Sequence, residues 1–356
     1  MDLKPTYQVL ANASDITAII ASRFLSLSLT DETGITSDML EIKLADHDPG
    51  APIRKPPKGA ELELFLGYDG VNTRMGLFCV DEIEYSGWPG EMTIRARGAI
   101  FDKTPKGKAT LQSQKIRSWA AGTTMGEMVA AIAKEHGMAS AVSASLASIA
   151  LPYVAQQDES DLNLLIRLGK KYDVIVKPAN GKLILARRGE SKSVGGQQLT
   201  LVSVTPASNI SAFHVSETAR DSAGTVIAYY HTMKQSKRHE VRVGSGEPVT
   251  RLKQYQPTRQ MAIALAKAEL ATRDRQKSVL SLTLPGRPEF GAEGKLRTTG
   301  FREGVDHEWV ITRVKHSLSK EGGYSCTIDA ELPTDRREDV IDVADLHAGA
   351  TGGIQT

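Results

Sequence analysis

Residues 24–30, FLSLSLT, alternate apolar and polar side chains with a period of two, which predicts a strand with one buried face. MLEIKLAD (39–46) repeats the pattern, and HDPGAPIRKPPKG then breaks it with prolines and glycines. ELELFLG, GLFCVDEIEYSG and EMTIRARG follow, each bounded by Gly, Pro or Asp. Residues 1–105 therefore read as a small β domain.

From TPKGKATLQSQ onward the period lengthens. TTMGEMVAAIAKEHGM places Met125, Met128, Val129 and Ile132 on one helical face, with Thr123 or Thr124 as N-cap and Gly137 past the end. DESDLNLLIRLGKKYDV predicts a second helix, capped by Asp158 or Ser160, with Leu162, Leu165, Ile166 and Gly169 on one face. VIVKPANGKLILARRG then reads as a hairpin, because Asn180-Gly181 supplies the positive φ angles a tight turn needs. Residues 106–190 are thus expected to form a small α/β insertion.

Strand patterns resume at LTLVSVT, NISAFHVSE and TVIAYYHT, and KQSKRH reads as a solvated basic loop. PTRQMAIALAKAELATRDRQ predicts the longest helix, at about 257–275, with Met261, Leu265, Ala268 and Leu270 facing a core. SVLSLTLPG, EWVITRVKHSLS and YSCTIDAEL complete a second β domain, 191–333. The polar, Gly-rich residues 334–356 read as a flexible tail.

The two β segments resemble each other. GAELELFLGYDG at 59–70 matches GAEGKLRTTG at 291–300 with an offset of 232. Phe78, Val80, Ile83 and Ser86 match Trp309, Ile311, Val314 and Ser317 at 231, while Thr93, Ile94 and Ala96 match Thr327, Ile328 and Ala330 at 234. More faintly, Phe24 matches Phe213, and Asp31–Gly34 match Asp221–Gly224 at 190, which leaves about 42 extra residues in the second copy. Order and spacing together point to a duplicated β fold whose core positions are Phe78, Val80, Ile83 and Ile94 in one copy and Trp309, Ile311, Val314 and Ile328 in the other.

Composition narrows the chemistry. Apolar residues are 40% and charged residues 24% of the chain, ordinary proportions for a globular protein. A net charge of +2 lacks the basic footprint of a dedicated nucleic-acid binder. No apolar run approaches the roughly 18 residues of a membrane helix, and the start carries no signal-peptide pattern. Cys79 and Cys326 read as reduced, packed thiols in a protein made in a cytoplasm. The histidines are scattered without H-E-x-x-H or a Cys/His cluster, so no metal site is expected. ADHDPG (45–50) reads as a turn, GSGEP is followed by no helix pattern, and no G-x-S-x-G elbow occurs. A structural or interaction protein is the expected class, with no catalytic residue, metal or cofactor.

Residues 152–189, PYVAQQDESDLNLLIRLGKKYDVIVKPANGKLILARRG, resemble the central segment of the late control D family of phage tail hub proteins, with Gln157, Glu159, Ser160, Asp161, Leu162, Leu165, Arg167, Leu168 and Tyr172 at its motif positions. The Ala-rich long helix and the WVI…V-x-H…GY segment agree, and the resemblance spans most of residues 5–333. The N-terminal half of type VI secretion spike proteins is more distantly similar. The resemblance implies a mainly β, α+β protein in which two tube-type β-barrel or sandwich domains flank the α/β domain. It further implies a homotrimer whose six β domains form a pseudo-sixfold ring between a hexameric tail tube and a trimeric central spike. Implied partners are the tube or tube-initiator protein and the spike, with the tape measure protein a further candidate, and DNA passes the channel without specific binding. Arg259, Lys267, Arg273 and Arg275 on the long helix are then candidate contacts to neighbouring subunits. The implied location is the tail baseplate of a virion or tailocin, after assembly in the host cytoplasm. Alternative readings are a hub or spike component of a type VI-like secretion machine, a DNA-binding late-gene regulator and a cell-wall hydrolase.

Overall fold

The computed structural model describes all residues except 1–2, 35–37, 49, 58, 99–110, 112, 180, 219–223, 233–234, 335–339 and 343–356. In the first β segment, β1 (Pro5–Ala11), β2 (Ser14–Asp15), β3 (Phe24–Glu32), β4 (Met39–Ala45), β5 (Glu61–Tyr68), β6 (Val71–Ser86) and β7 (Glu91–Gly98) form an antiparallel array. The alternation predicts its buried face: Leu27 and Leu29 on β3 and Leu40, Ile42 and Leu44 on β4 are all buried. The lateral order is β3-β4-β7-β6-β5-β1.

The middle segment holds β8 (Gln114–Trp119), β9 (Ala139–Val142), β10 (Val154–Ser160), β11 (Val174–Ala179) and β12 (Lys182–Arg187), with helices Met125–Glu135 and Asp161–Tyr172. Thr124 caps the first helix in a capping box with Glu127, and Met125, Met128, Val129 and Ile132 are buried. Ser160 caps the second helix by accepting from the Asn163 amide. Its buried face is Leu164, Leu165, Leu168 and Gly169, whereas Leu162 and Ile166 are only half-buried. The face is therefore turned from the expected one, because the helix must also bury Asp161.

The second β segment comprises β13 (Leu201–Val204), β14 (Ala212–Glu217), β15 (Thr225–Thr232), β16 (Gln235–Gly244), β17 (Val249–Gln256), the long helix Arg259–Gln276, β18 (Ser278–Pro285), β19 (Lys295–Thr298), β20 (Glu308–Ser319), β21 (Gly323–Glu331) and β22 (Val340–Asp342). Strands β15, β16, β17 and β22 make a separate sheet, on which Ala262, Ala266 and Leu270 of the long helix bury Val226, Ala228 and Val241. KQSKRH is mostly strand rather than loop, since β16 begins at Gln235. Of the residues expected as tail, Val340–Asp342 pair with β16, and 335–339 and 343–356 lie outside the described residues.

The remaining strands run β14-β18-β21-β20-β19-β13, the same six-strand order as β3-β4-β7-β6-β5-β1. Register agrees as closely as order. Val80 faces Ala96 and Ile83 faces Ile94, while Ile311 faces Ala330 and Val314 faces Ile328. Each long strand carries a bulge between those pairs, with Asp81 the extra residue in one copy and Thr312 in the other. The copies differ at one end: β1 lies antiparallel to β5, whereas β13 lies parallel to β19.

Strand pairing also corrects two of the letter-based matches. Leu62 faces Phe78 and Leu296 faces Trp309, so β5 corresponds to β19 at an offset of 234 rather than 232. A slip of two keeps every side chain on its face, which is why the letters still agreed. Leu27 and Leu29 face Ile42 and Leu40, and Phe213 and Val215 face Leu282 and Leu280. Phe213 is therefore the counterpart of Leu27, not of Phe24. The offset then rises from 186 (Leu27 to Phe213) to 240 (Leu40 to Leu280), so the insert is longer than the letters indicated.

The copies do not keep separate cores. β20 pairs with β3, which fuses them into one 13-stranded sheet over one apolar cluster running from Val9 to Ala330. That sheet is open and sandwich-like, not a closed barrel.

Candidate assembly interface

Strand β20 is longer than its neighbour β19, so its far half needs another partner. Arg313–Ser319 pair antiparallel with Glu32–Ser26 of β3. On the core side Leu318 faces Leu27 and His316 faces Leu29, all buried. On the other side Arg313 lies 3.2 Å from Glu32. Burial pushes His316 down to about 4, so it is neutral here.

The duplication assigns a counterpart to each edge of this seam, and neither counterpart edge is paired among the described residues. β6 outruns β5, whose pairing ends at Cys79, and residues 82–86 pair with β7 alone. Among the described residues β14 pairs with β18 alone. Side chains follow the backbone: Phe213 is 50% exposed where Leu27 is 1%, and Tyr85 is 54% exposed where His316 is 1%. Trp88, at the tip of the β6–β7 hairpin, is 90% exposed. Unpaired strand edges carrying apolar side chains are templates for pairing with another chain.

Two charged clusters hold the middle segment against the β segments, the first of them at the seam. Lys177 of β11 donates to Asp31 and Asp38, both at 2.8 Å. The second carboxylate oxygen of Asp31 accepts from the Ala292 amide at 2.8 Å, so this side chain ties three segments together. Burial opposes ionisation of Asp31, but the charge and hydrogen bond of Lys177 and the Ala292 amide hold its pKa below the usual range. Asp38 is pushed up to about 7, first by burial and then by the Asp31 charge. In the second cluster Arg275 donates to both oxygens of Asp173, at 2.7 and 2.8 Å, and lies 3.0 Å from Glu331. Nearby Glu293 accepts from the Gly189 amide at 3.3 Å and is pushed up to about 7 by burial.

Among the described residues, Glu135, His136 and Asp161 bring ligand atoms within 4.8 Å of one another. The set does not suit a metal ion. Asp161 already accepts from Lys115, Arg117, Gln156 and His136 at 2.6–2.8 Å, and two of those donors are cations. Burial opposes its ionisation, yet the hydrogen bonds from Lys115, Gln156 and His136 and the Arg117 charge bring Asp161 down to about 2. The neighbouring motif residues act with it: Glu159 binds Arg167 through both oxygens, at 3.0 and 2.7 Å. Gln156 is the buried glutamine that orients Arg117 and Asp161, whereas Gln157, singled out in the sequence, is exposed.

The eight repeat positions lie in one apolar neighbourhood. Phe78, Val80, Ile94, Trp309, Ile311, Val314 and Ile328 belong to the buried cluster, and half-buried Ile83 packs against it. The helix cations separate. Arg275 is 1% exposed and bonded within the chain, so it is not a cation a neighbour reaches. Arg273 pairs with Glu269 one turn away at 2.7 Å. Arg259 and Lys267 are exposed, and Lys267 lines a cavity of about 870 Å³ between the long helix and the middle segment. Sequence reasoning missed the two open edges, because Tyr85 and Phe213 occupy alternating positions that read as core.

Residues 92–322 match the phage tail baseplate hub (GPD) family. The chain belongs to that family. Over 373 residues this hub-family chain is 28% identical to the probable baseplate hub protein of Escherichia phage P2, covering 93% of this chain and 94% of that one. The 43 kDa tail protein of prophage MuSo2 from Shewanella oneidensis shares the fold, with a TM-score of 0.69 at 15% identity over 93% of this chain and 100% of that one. A component of an Escherichia coli type VI secretion system shares it too, with a TM-score of 0.54 at 10% identity over 88% of this chain and 74% of that one.

Proposed function

We propose that three copies of this hub-family chain close head to tail into a ring of six related β modules, a structural joint between a hexameric tail tube and a trimeric central spike. The supporting observation is the seam that the chain makes once and leaves unmade once. Within the chain, β3 of the first module covers the far half of β20 of the second. The same contact, advanced by one module, lays β14 of one copy along the far half of β6 of the next. Such a contact is heterologous, and it ends only when the ring closes. Two modules per chain and a sixfold tube make three chains the closing number.

The register carries over from the internal seam. Lys315 faces Thr30 and His316 faces Leu29, so Glu84 is to face Ser216 and Tyr85 to face Val215 of the next copy. In this reading the exposed Arg259 and Lys267, with Arg273, are contacts for neighbouring baseplate subunits. The chain works by shape and strand pairing rather than by catalysis: the one acidic–histidine cluster among the described residues is already filled by Lys115 and Arg117. The tape measure protein is a further candidate partner. The modest net charge of +2 suits a channel that DNA passes without specific binding, because attachment to phosphates scales with paired cations. The site of action is the virion tail, with assembly in the host cytoplasm. A type VI-like machine offers the same mechanical role, and the genes beside this one distinguish the settings.

The test is a cysteine pair. In a Cys79→Ser background, Glu84→Cys with Ser216→Cys places two Cα atoms at cross-strand distance, within reach of a disulfide. Oxidation of the full-length chain, alone or mixed with tube and spike proteins, is expected to give a covalent species of three chains on a non-reducing gel. Light scattering is expected to give three chain masses. A chain that stays at one mass and forms no cross-link beside tube and spike proteins overturns the proposal.

A further inference from the structure

We infer that the joint between copies is keyed by side-chain size, with Phe213 of one copy seated over Gly87 of the next. This inference rests on the ring just proposed and names the residues that make its seam specific.

Inside the chain the core side of the seam is filled by two pairs, Leu318 against Leu27 and His316 against Leu29. Leu318 is 6% exposed and the other three 2% or less, so the space between these strands is full. At the other seam the counterparts are Phe213 for Leu27, Tyr85 for His316 and Val215 for Leu29, and Gly87, the first turn residue after β6, takes the place of Leu318 when the register is carried one residue past the Ser86–Glu91 pair. The large and small members are redistributed. Phe213 is bulkier than the leucine it replaces, and the residue opposite has no side chain at all. Tyr85 is bulkier than histidine, and Val215 opposite is smaller than leucine. Tyr85 with Val215 keeps roughly the filling of His316 with Leu29, while Phe213 opposite Gly87 sets one ring where two leucines interlock, so the edge of β14 is shaped for β6 rather than for β20.

Two further observations support the seating. The Phe213 ring is braced from its own chain by Phe301, edge to face with centroids 5.4 Å apart, so it is held in place while half exposed. Position 87 is also open within the chain. A Cβ there meets nothing closer than the Gly90 Cα at 3.7 Å, ordinary contact distance, so the space within the chain does not exclude a side chain. What Gly87 leaves free is the volume that a phenylalanine of the next copy fills. Trp88, next in the chain, is almost wholly exposed.

The size key has a compensating design. Gly87→Leu puts the side chain of Leu318 opposite Phe213 and is expected to weaken assembly about tenfold, the order expected for overpacking a filled site. Phe213→Leu leaves a gap and is also expected to weaken it. The double variant rebuilds the Leu–Leu pair of the internal seam, and its assembly is expected to exceed that of Gly87→Leu, a coupling that distant, independent sites do not show. Midpoints come from light scattering across concentration, with tube and spike proteins present if the chain needs them, and circular dichroism and melting of each free chain verify the fold. Additive single effects, or a Gly87→Leu chain that assembles like the wild type, overturn the size key while the Glu84–Ser216 cross-link still reports the ring. A wild-type chain that neither assembles nor cross-links defeats the ring itself.

Discussion

Asp161 shows how one buried charge organises its surroundings. It opens a helix, where a negative charge is favoured, and its two oxygens accept from Lys115, Arg117, Gln156 and His136. Lys115 and Arg117 both come from β8, so the carboxylate fixes that strand to the helix. Asp161→Asn strips two cations of their buried partner, and breaking such a pair costs about 3 kcal/mol. Urea unfolding at pH 7 is expected to show that loss. The pH sign follows from the depressed pKa: the contribution is complete above the usual carboxylate range and disappears as pH falls through that range to about 2. Wild type and Asp161→Asn are therefore expected to converge in acid. The motif around this residue was visible in the sequence, but its chemistry was not. Adjacent glutamines look alike as letters, and only the strand's facing decides that Gln156 turns inward and Gln157 outward.

Among the elements, the helix Asp161–Tyr172 crosses close to β11 through a glycine. A Cβ on Gly169 stands 2.9 Å from the Val174 carbonyl oxygen, and that neighbour is backbone that cannot swing aside. Gly169→Ala is expected to destabilise by about 2 kcal/mol through overpacking, read as a lower urea midpoint at unchanged slope. Elements of this kind were the most legible part of the chain. Period-two alternation located β3 and β4, and the helix beginning at Met125 came with its cap and buried face. Face prediction slipped where a polar group set the orientation: burying Asp161 turns Leu164 and Leu168 inward in place of Leu162 and Ile166. The upstream repeat match slipped for a related reason. A lone aromatic letter aligned Phe24 with Phe213, whereas ladder register, which is set by neighbouring strands, pairs Leu27 with Phe213.

Across the whole molecule, the middle segment reaches the seam through Lys177, the cation shared by Asp31 and Asp38. Because Asp38 has its folded pKa raised to about 7, the fold binds a proton that the unfolded chain releases at lower pH. That contribution to stability is present in acid and is lost as pH rises to about 7. Lys177→Met removes the cation and leaves both carboxyls buried together. A loss of about 3 kcal/mol is expected at pH 8 and a much smaller one at pH 5, where the pair protonates instead. Thermal melts at the two pH values measure the difference, and equal losses contradict the shared-cation account. None of this was readable along the chain, since the two acids and the lysine are separated by 139 and 146 residues. Duplication was readable, because core letters repeat; fusion of the copies into one sheet was not, because edge strands and central strands share the same alternation.

The bulges at Asp81 and Thr312 bear on how such a joint can shut. A bulge bends its strand and tightens the local twist, and here the bend falls at the same rung in both halves of the chain. In the proposed ring, bends at the same rung would turn successive units by matched angles, as staves of one curvature are needed for a hoop to meet itself. Removing Asp81 alone would alternate two curvatures around the circle, and the small mismatch would add at every joint until the last edge overshot the first, leaving a split washer in place of a seal.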